Sequence, residues 1–293
     1  MKKEIHFMCV GVQKAGTSTI HDILNQNPNI SMPIYKETHF FCEKEKHQKG
    51  LDYYFNFFFN NTNTKYIGEI DPEYSYFKSS AQKIFAEFGK IKIIFILRNP
   101  LDRAFSQYLM TKRRGLEELT FEEALKSEKL RLKTYFDHTH YSYLSRGSYT
   151  SQIENYETVF GKDNVKVLFF DDIIKDIRQF VSDFTSFVRI EPFEYNYDIK
   201  SNLASIPQSK SLSKFIYKPY KFKKWIGKLI PSKTVKNKIM FFLERKNLKA
   251  SNKETLTLEI KQKVYEAFFK EDIELLEQKL SKDLSHWKYI KTE

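Results

Sequence analysis

Residues 5–19 have the sequence Ile5-His-Phe-Met-Cys-Val-Gly-Val-Gln-Lys-Ala-Gly-Thr-Ser-Thr19, in which an apolar run is followed by a glycine-containing loop. The run at residues 5–12 predicts a buried strand, and Thr17 begins a predicted helix that extends to about Asn27. A loop between a strand and a helix N-terminus directs backbone N–H groups at an anion. The sequence therefore predicts a phosphate site at residues 11–19.

This loop differs from the ATP-binding loop G-x-x-x-x-G-K-[ST]. Gly11 and Gly16 keep the spacing of that motif, but Thr17 stands where its lysine is expected, and Lys14 lies inside the loop instead. The alternative is an ordinary helix start with an incidental lysine. The order of strand, loop, lysine, glycine and Thr-Ser-Thr favours an anion site.

A second anion site is predicted after the strand Lys92–Leu97, which ends at Arg98. Asn99 and Pro100 begin the next helix, and Ser106 lies two turns into it. Nucleotide triphosphatases usually carry an acid for Mg²⁺ at this strand end. An arginine at this position can instead bind a phosphate group through its parallel N–H donors. The alternative for Arg98 alone is an ordinary salt bridge. The two motifs predict a ligand with two separated anionic groups, and they give no sign of a metal site.

The remaining pattern alternates strands with helices. Further strands are predicted at 66–70 and 165–170, and further helices at 80–88, 175–188 and 260–280. This alternation predicts an α/β fold, a three-layer sandwich with a central parallel sheet covered on both faces. After Tyr197 no strand is evident. We therefore predict a single domain over 1–293, with an α/β core at 5–197 and a mainly helical, Lys-rich extension at 198–293.

Together these motifs resemble those of sulfotransferases that use 3′-phosphoadenosine 5′-phosphosulfate (PAPS). Residues 11–19 resemble the 5′-phosphosulfate loop of that family, and residues 96–106 resemble its 3′-phosphate motif. The segment Lys-Glu-Thr-His-Phe-Phe at 36–41 resembles the acceptor-side motif of the heparan sulfate and carbohydrate type, and residues 68–74 and 146–149 resemble later segments. The similarity covers about 5–190 and a short region around Trp287, and it implies the three-layer fold with a P-loop-like loop.

The resemblance implies that PAPS is the donor, that the bisphosphate PAP is the product, and that no metal is needed. It implies a donor site formed by Lys14, Ala15, Gly16, Thr17, Ser18, Thr19, Arg98, Ser106 and Tyr149. Within this set, Lys14 is placed to stabilise the negative charge that develops on the leaving oxygen.

On the acceptor side, the resemblance implies that Glu37 is the base, with His39 as its catalytic neighbour. Glu37, Glu69 and Asp71 are expected to contact the acceptor. The alternatives are that Glu37 is a solvent-facing loop acid and that His39 is structural. In the heparan-type enzymes a lysine follows the glutamate at 69, whereas this chain has Ile70.

The charge of the chain is concentrated in one segment. The 293 residues contain 49 Lys and Arg against 37 Asp and Glu, a net charge of +12, and residues 210–253 hold fourteen of the basic residues and one acid. This segment has three interpretations: a contact for an anionic glycan or glycolipid acceptor, a contact for an anionic membrane surface, or a solvated face. Arginine is scarce there and no nucleic-acid-binding module is present, so no nucleic-acid partner is predicted.

Composition excludes several other classes. Two cysteines exclude a disulfide scaffold and a four-thiolate zinc site, and no apolar run approaches the roughly 20 residues that span a bilayer. A content rich in Lys, Ile, Asn and Phe is typical of AT-rich bacterial coding, so we expect a bacterial-like, cytoplasmic protein, with peripheral contact to the inner membrane face as an alternative.

The expected function is transfer of a sulfuryl group from PAPS to a hydroxyl group, less favourably an amine, of a carbohydrate acceptor by in-line displacement. The alternatives are an ATP-dependent P-loop kinase and a non-catalytic glycan- or membrane-binding protein with the same fold.

Overall fold

The first strand lies in the middle of a parallel sheet. The computed structural model describes residues 4–198, 205–217, 246–250 and 254–289. Its main sheet contains β1 (Phe7–Gly11), β2 (Ile30–Ser31), β3 (Tyr66–Ile70), β4 (Lys92–Leu97) and β5 (Val165–Phe169). The strand order is β2-β3-β1-β4-β5, and every neighbouring pair is parallel. The predicted central parallel sheet is confirmed.

Helices cover both faces of this sheet. Phe7 pairs with Lys92 across β1 and β4, so Phe95, three positions further along β4, points to the opposite face. The Phe184 ring contacts Phe7 at 5.8 Å between centroids, and the Tyr156 ring contacts Phe95 at 5.3 Å. The helices that carry Phe184 and Tyr156 therefore lie on opposite sides, which confirms the three-layer α/β architecture. Apolar runs that are buried along their whole length suit such a sheet.

The helices follow the strands in chain order. They are α1 (Thr17–Leu24), α2 (Lys44–His47), α3 (Gly50–Phe58), α4 (Ser79–Phe88), α5 (Pro100–Arg113), α6 (Phe121–Arg131), α7 (Tyr135–Tyr141), α8 (Tyr149–Phe160), α9 (Phe170–Lys175), α10 (Ile177–Phe187), α11 (Lys210–Tyr217), α12 (Leu258–Val264) and α13 (Lys270–Leu280). The single helix predicted at 260–280 is interrupted by a π-helical turn at Tyr265–Phe269.

The chain forms two compact units. One consists of residues 1–104, 144–200 and 262–293 and contains the five-stranded sheet; the other consists of residues 105–143 and 201–261. This division differs from the predicted boundary at residue 197, and the single-domain assignment stays a prediction.

The second unit contains strands that the sequence did not indicate. β6 (Ser205–Pro207) pairs antiparallel with β7 (Leu248–Ala250), so the prediction that no strand follows Tyr197 is wrong. Three-residue strands are too short to show an alternating pattern. In the same unit, the buried Glu117 carboxylate accepts two hydrogen bonds from the Arg131 guanidinium, which joins the segment before α6 to the last residue of α6.

The basic segment at 210–253 is described only at α11 and at residues 246–250, and its remaining residues lie outside the described part of the chain. Among the described helices, none combines the length and the apolar character that crossing a membrane requires.

Candidate functional site

The two predicted anion motifs follow adjacent strands at the point where the sheet reverses its order. From β1 the chain proceeds to β2 and β3 on one side, and then to β4 and β5 on the other. Ligands of open α/β sheets bind in the crevice beyond the strand carboxyl ends at such a switch point. Here the Arg98 Nη1 atom donates a hydrogen bond to the Lys14 carbonyl oxygen at 2.9 Å, so the two motifs are in direct contact.

The loop after β1 has the conformation of an anion cradle. Lys14 has φ 73° and Gly16 has φ 78°, both in the left-handed region. A Cβ atom at Gly16 would lie 3.0 Å from the Phe170 ring, so glycine is needed there for space as well as for conformation. A lysine in this conformation is uncommon and is typical of residues constrained at functional sites.

The predicted donor residues after Lys14 lie at the start of α1. Ala15 and Thr17 are buried, Ser18 is exposed, and Thr19 is half-buried. The first turn of α1 contains no acidic residue, so nothing in it opposes an anion. The Ala15 amide donates to the Val12 carbonyl oxygen at 3.3 Å, and the first hydrogen bond within α1 comes from the Ile20 amide to Gly16, so the contiguous donors are the amides of residues 16–19 with the hydroxyls of residues 17–19.

Two further contacts fix Arg98, one at its guanidinium group and one at its carbonyl oxygen. Its guanidinium lies 4.9 Å from the centroid of the Phe170 ring, and its own carbonyl oxygen accepts a hydrogen bond of 2.7 Å from the Tyr149 hydroxyl. Burial raises the pKa of Tyr149, which keeps the hydroxyl protonated as a donor. The structure buries the Tyr149 side chain, and its expected contact with the nucleotide stays a prediction.

The helix after Arg98 begins as predicted. The Asn99 Oδ1 atom accepts hydrogen bonds from the amides of Leu101 and Asp102. Ser106 lies in α5 and belongs to the second unit, and its expected contact with a 3′-phosphate stays a prediction.

A buried ion pair contacts the loop after β1 through Gln13. The Arg146 Nη2 atom lies 2.6 Å from the Glu73 Oε2 atom, and both side chains are at most 2% exposed. Gln13, directly before Lys14, donates to the other oxygen of Glu73 at 3.2 Å. Glu73 therefore has a structural role in this ion pair. The pairing could not be predicted, because Gln13, Glu73 and Arg146 are far apart in the sequence.

Glu37 is accessible on the acceptor side. Its side chain is 28% exposed, its Oε2 atom lies 4.0 Å from His39 Nε2, and its Oε1 atom accepts a hydrogen bond of 3.2 Å from Lys36. The structure therefore brings Glu37 and His39 together as expected.

His39 is fixed by Asp71. The Asp71 Oδ2 atom accepts the His39 backbone N–H at 2.6 Å and lies 3.3 Å from the imidazole Nδ1. Burial is the largest single influence on the pKa of His39 and would lower it, but the charges of Asp71 and Glu73 and the hydrogen bonds to Asp71 and Cys42 together outweigh burial, and the pKa is raised well above its ordinary value. A raised pKa favours the protonated imidazole, which makes His39 the weaker candidate to accept a proton.

Glu69 lies in the interior. Its carboxylate is 1% exposed and accepts hydrogen bonds from Thr38 at 2.6 Å, Tyr54 at 2.6 Å and Tyr74 at 3.2 Å. Burial raises the pKa of Glu69 to about 7. Asp71 is also fully buried. The oxygens of both carboxylates accept hydrogen bonds from protein groups, and their expected contacts with the acceptor stay predictions.

Glu37, His39 and Asp71 are the described residues whose ligand atoms are close enough together to suit a metal ion, within 4.8 Å of one another. The Asp71 oxygen in this group already accepts the His39 amide. The expected absence of a metal requirement stays a prediction.

Lys36 is a site residue that sequence reasoning missed. Its Nζ atom lies 3.3 Å from both the Thr17 and Ser18 hydroxyl oxygens, in addition to its contact with Glu37. The signal was present, because Lys36 opens the acceptor-side motif, but nothing in the sequence shows that this motif packs against the start of α1.

Comparisons with known proteins agree with this geometry. A model of the sulfotransferase domain matches residues 4–275. The chain is 34% identical over 116 residues to human bifunctional heparan sulfate N-deacetylase/N-sulfotransferase 2, covering 37% of this chain and 13% of that protein. It is 31% identical over 106 residues to the membrane-associated sulfotransferase kil1 of Dictyostelium discoideum, covering 35% and 22%. The chain thus spans less than a quarter of these curated relatives. A crystal structure of a sulfotransferase from Alicyclobacillus acidocaldarius aligns with a TM-score of 0.67 at 25% identity, covering 97% of this chain and 98% of that one.

Proposed function

We propose that this chain, which belongs to the sulfotransferase domain family, transfers the sulfuryl group of PAPS to a hydroxyl group of a carbohydrate acceptor and releases PAP. The observation that carries the proposal is the hydrogen bond between Arg98 and the Lys14 carbonyl. It joins a helix N-terminus and its lysine to a second cationic group at the sheet switch point. A ligand with two phosphate-type groups on one nucleoside suits this arrangement.

Each donor group then has a binding partner. The amides and hydroxyls at residues 15–19 would bind the 5′-phosphosulfate, and Arg98 would bind the 3′-phosphate, the group to which the family resemblance also assigns Ser106. Negative charge develops on the oxygen that bridges phosphorus and sulfur as the reaction proceeds. Lys14 would stabilise that charge, which is the kind of electrostatic contribution that dominates many enzymatic rate enhancements.

The acceptor oxygen forms a bond to sulfur as the bond between sulfur and the bridging oxygen breaks. PAP leaves with the electron pair of the broken bond, and the proton of the acceptor hydroxyl passes to the Glu37 carboxylate. Glu37 is favoured over His39 as the base because the raised pKa of His39, caused by Asp71, Cys42 and Glu73 together against the effect of burial, disfavours the neutral imidazole that a base requires.

The carbohydrate class of the acceptor is supported by the heparan sulfate relatives. Those relatives are named N-sulfotransferases, so an amine is the second candidate acceptor. The basic segment at 210–253 is proposed as a contact for an anionic glycan, a glycolipid or an anionic membrane surface. A cytoplasmic location, with peripheral contact to the inner membrane face as the alternative, is part of the same proposal.

A calorimetric titration with PAP, run beside ATP with Mg²⁺, tests the donor assignment without knowledge of the acceptor. We expect micromolar binding of PAP without metal and little response to Mg-ATP. Tight Mg-ATP binding with no response to PAP would refute the proposal and support the kinase alternative. PAP binding without transfer from labelled PAPS to any glycan of a hydroxyl- and amine-bearing panel would support the non-catalytic alternative.

A further inference from the structure

The Lys36 ammonium occupies a position where a cation is unfavourable in the absence of an anion. Its side chain is 13% exposed and reaches the hydroxyls of the first two residues of α1, Thr17 and Ser18. The N-terminus of a helix carries a partial positive charge, so an ammonium group there is repelled. The Glu37 carboxylate, 3.2 Å from Lys36, offsets this repulsion.

Lys36 therefore contacts both halves of the site. Thr17 and Ser18 belong to the segment proposed to bind the phosphosulfate, and Glu37 is the proposed base. An anion at the start of α1 would carry more negative charge than a single carboxylate and would also receive the helix N–H groups. The ammonium group would then contact that anion at the expense of Glu37.

We propose that Lys36 binds the 5′-phosphosulfate of PAPS and, by moving from Glu37 to that anion, frees the Glu37 carboxylate to accept the acceptor proton only when the donor is present. This inference rests on the proposed function. The acceptor proton goes to Glu37, and the electron pair of the broken sulfur–oxygen bond leaves with PAP. The consequence is a coupling between donor binding and the base.

The binding part of the inference is tested with PAP and with adenosine 3′-phosphate, which lacks the 5′ group. We expect Lys36→Met to weaken PAP binding by about 10–100-fold, the range for losing charged hydrogen bonds, and to change binding of adenosine 3′-phosphate by less than about 2-fold. Lys36→Arg should recover part of the affinity. Lys44→Met is the matched control, because it removes the same charge from an exposed position on α2.

The coupling to Glu37 is tested with a double-mutant cycle. Glu37→Gln should raise the affinity for PAP in the wild-type background, because the ammonium no longer has a competing carboxylate. In the Lys36→Met background the gain should be smaller by about 3–10-fold. The direct repulsion between Glu37 and PAP is common to both backgrounds and cancels in the cycle.

The outcomes separate this inference from the proposed function. If the wild-type protein does not bind PAP, the proposed function fails and the inference fails with it. If the wild-type protein binds PAP and Lys36→Met binds it equally well, the proposed function stands and the inference is wrong. Equal effects of Glu37→Gln in both backgrounds would also overturn the coupling. Unequal effects together with weakened PAP binding by Lys36→Met would support it.

Discussion

The buried Glu69 carboxyl group should make the protein less stable as the pH rises from acidic to neutral values. Glu69 accepts hydrogen bonds from Thr38, Tyr54 and Tyr74, yet its burial raises its pKa to about 7. The perturbation is Glu69→Gln, which keeps the shape of the side chain and removes its titration.

The direction and size of the change in stability with pH follow from proton linkage. The folded state binds a proton at Glu69 at pH values where the unfolded chain, with an ordinary pKa of 4.5, has released it. The stabilisation is therefore fully present below about pH 4.5 and is lost as the pH rises through about 7. At about 1.4 kcal/mol per pH unit of separation, the loss is about 3 kcal/mol.

His39 and Asp71 also contribute to the pH dependence of stability. The raised pKa of His39 also makes stability fall as the pH rises, and the lowered pKa of Asp71 acts at more acidic pH. The contribution of His39 is present in both proteins. The negative charge of Asp71 is one of the causes that raise the pKa of Glu69, so the difference between the two proteins reports Glu69 together with its interaction with Asp71.

The assay is urea unfolding at a series of pH values between about 4.5 and 8, with Glu45→Gln at an exposed position of α2 as the control. The stability of the wild type relative to Glu69→Gln should fall by about 3 kcal/mol across this range. A constant difference would show that Glu69 titrates as it does in the unfolded chain, and the buried position assigned to it would be refuted.

Three further changes test other parts of the structure. Lys14→Met should lower turnover of PAPS by about 100-fold or more while PAP still binds; unchanged turnover would remove Lys14 from the reaction. Gly68→Ala would place a Cβ atom 2.2 Å from the Phe7 ring, so denaturant unfolding should show a loss of about 1–3 kcal/mol, and Phe7→Leu in the same chain should recover part of it. Tyr149→Phe leaves the partly buried carbonyl of Arg98 without this donor and should cost about 1 kcal/mol of stability and weaken PAP binding; wild-type values for both would contradict the role assigned to the hydroxyl.

The sheet was predictable where its strands are long and fully buried. β1 and β4 have unbroken apolar runs because both of their faces are covered, and such runs stand out in a sequence. The two-residue strand Ile30–Ser31 and the three-residue strands β6 and β7 give no such pattern, because their pairing depends on tertiary contacts. The π-helical turn at Tyr265–Phe269 could not be predicted either, because no glycine or proline marks it in the sequence.

The site was predictable where a motif forms within one stretch of chain. The loop after β1 has the glycines, the lysine and the helix start of its motif in one continuous stretch, so its anion-binding function could be inferred from that stretch alone. The contact of Arg98 with Lys14 joins residues 84 positions apart, and it was foreseeable only because parallel strands end at the same edge of a sheet. The positions of Lys36, of Glu73 with Arg146, and of Glu69 depend on packing between segments, which periodicity does not reveal.

The order of the strands accounts for the arrangement of the proposed reaction. β1 lies between β3 and β4, so the loop that carries Lys14 has a different neighbour on each side. On the β4 side, Arg98 contacts that loop. On the β3 side, Glu69 of β3 holds Thr38, and Asp71, directly after β3, holds the amide of His39, so both fix the backbone that carries Glu37. An in-line displacement needs the attacking and leaving oxygens on opposite sides of sulfur. In the proposed reaction the leaving oxygen belongs to the 5′-phosphosulfate on the loop after β1, so we expect the acceptor to approach sulfur from the β3 side, where the segment of the proposed base Glu37 lies. The buried carboxylates of Glu69 and Asp71 would then serve the reaction by fixing that segment.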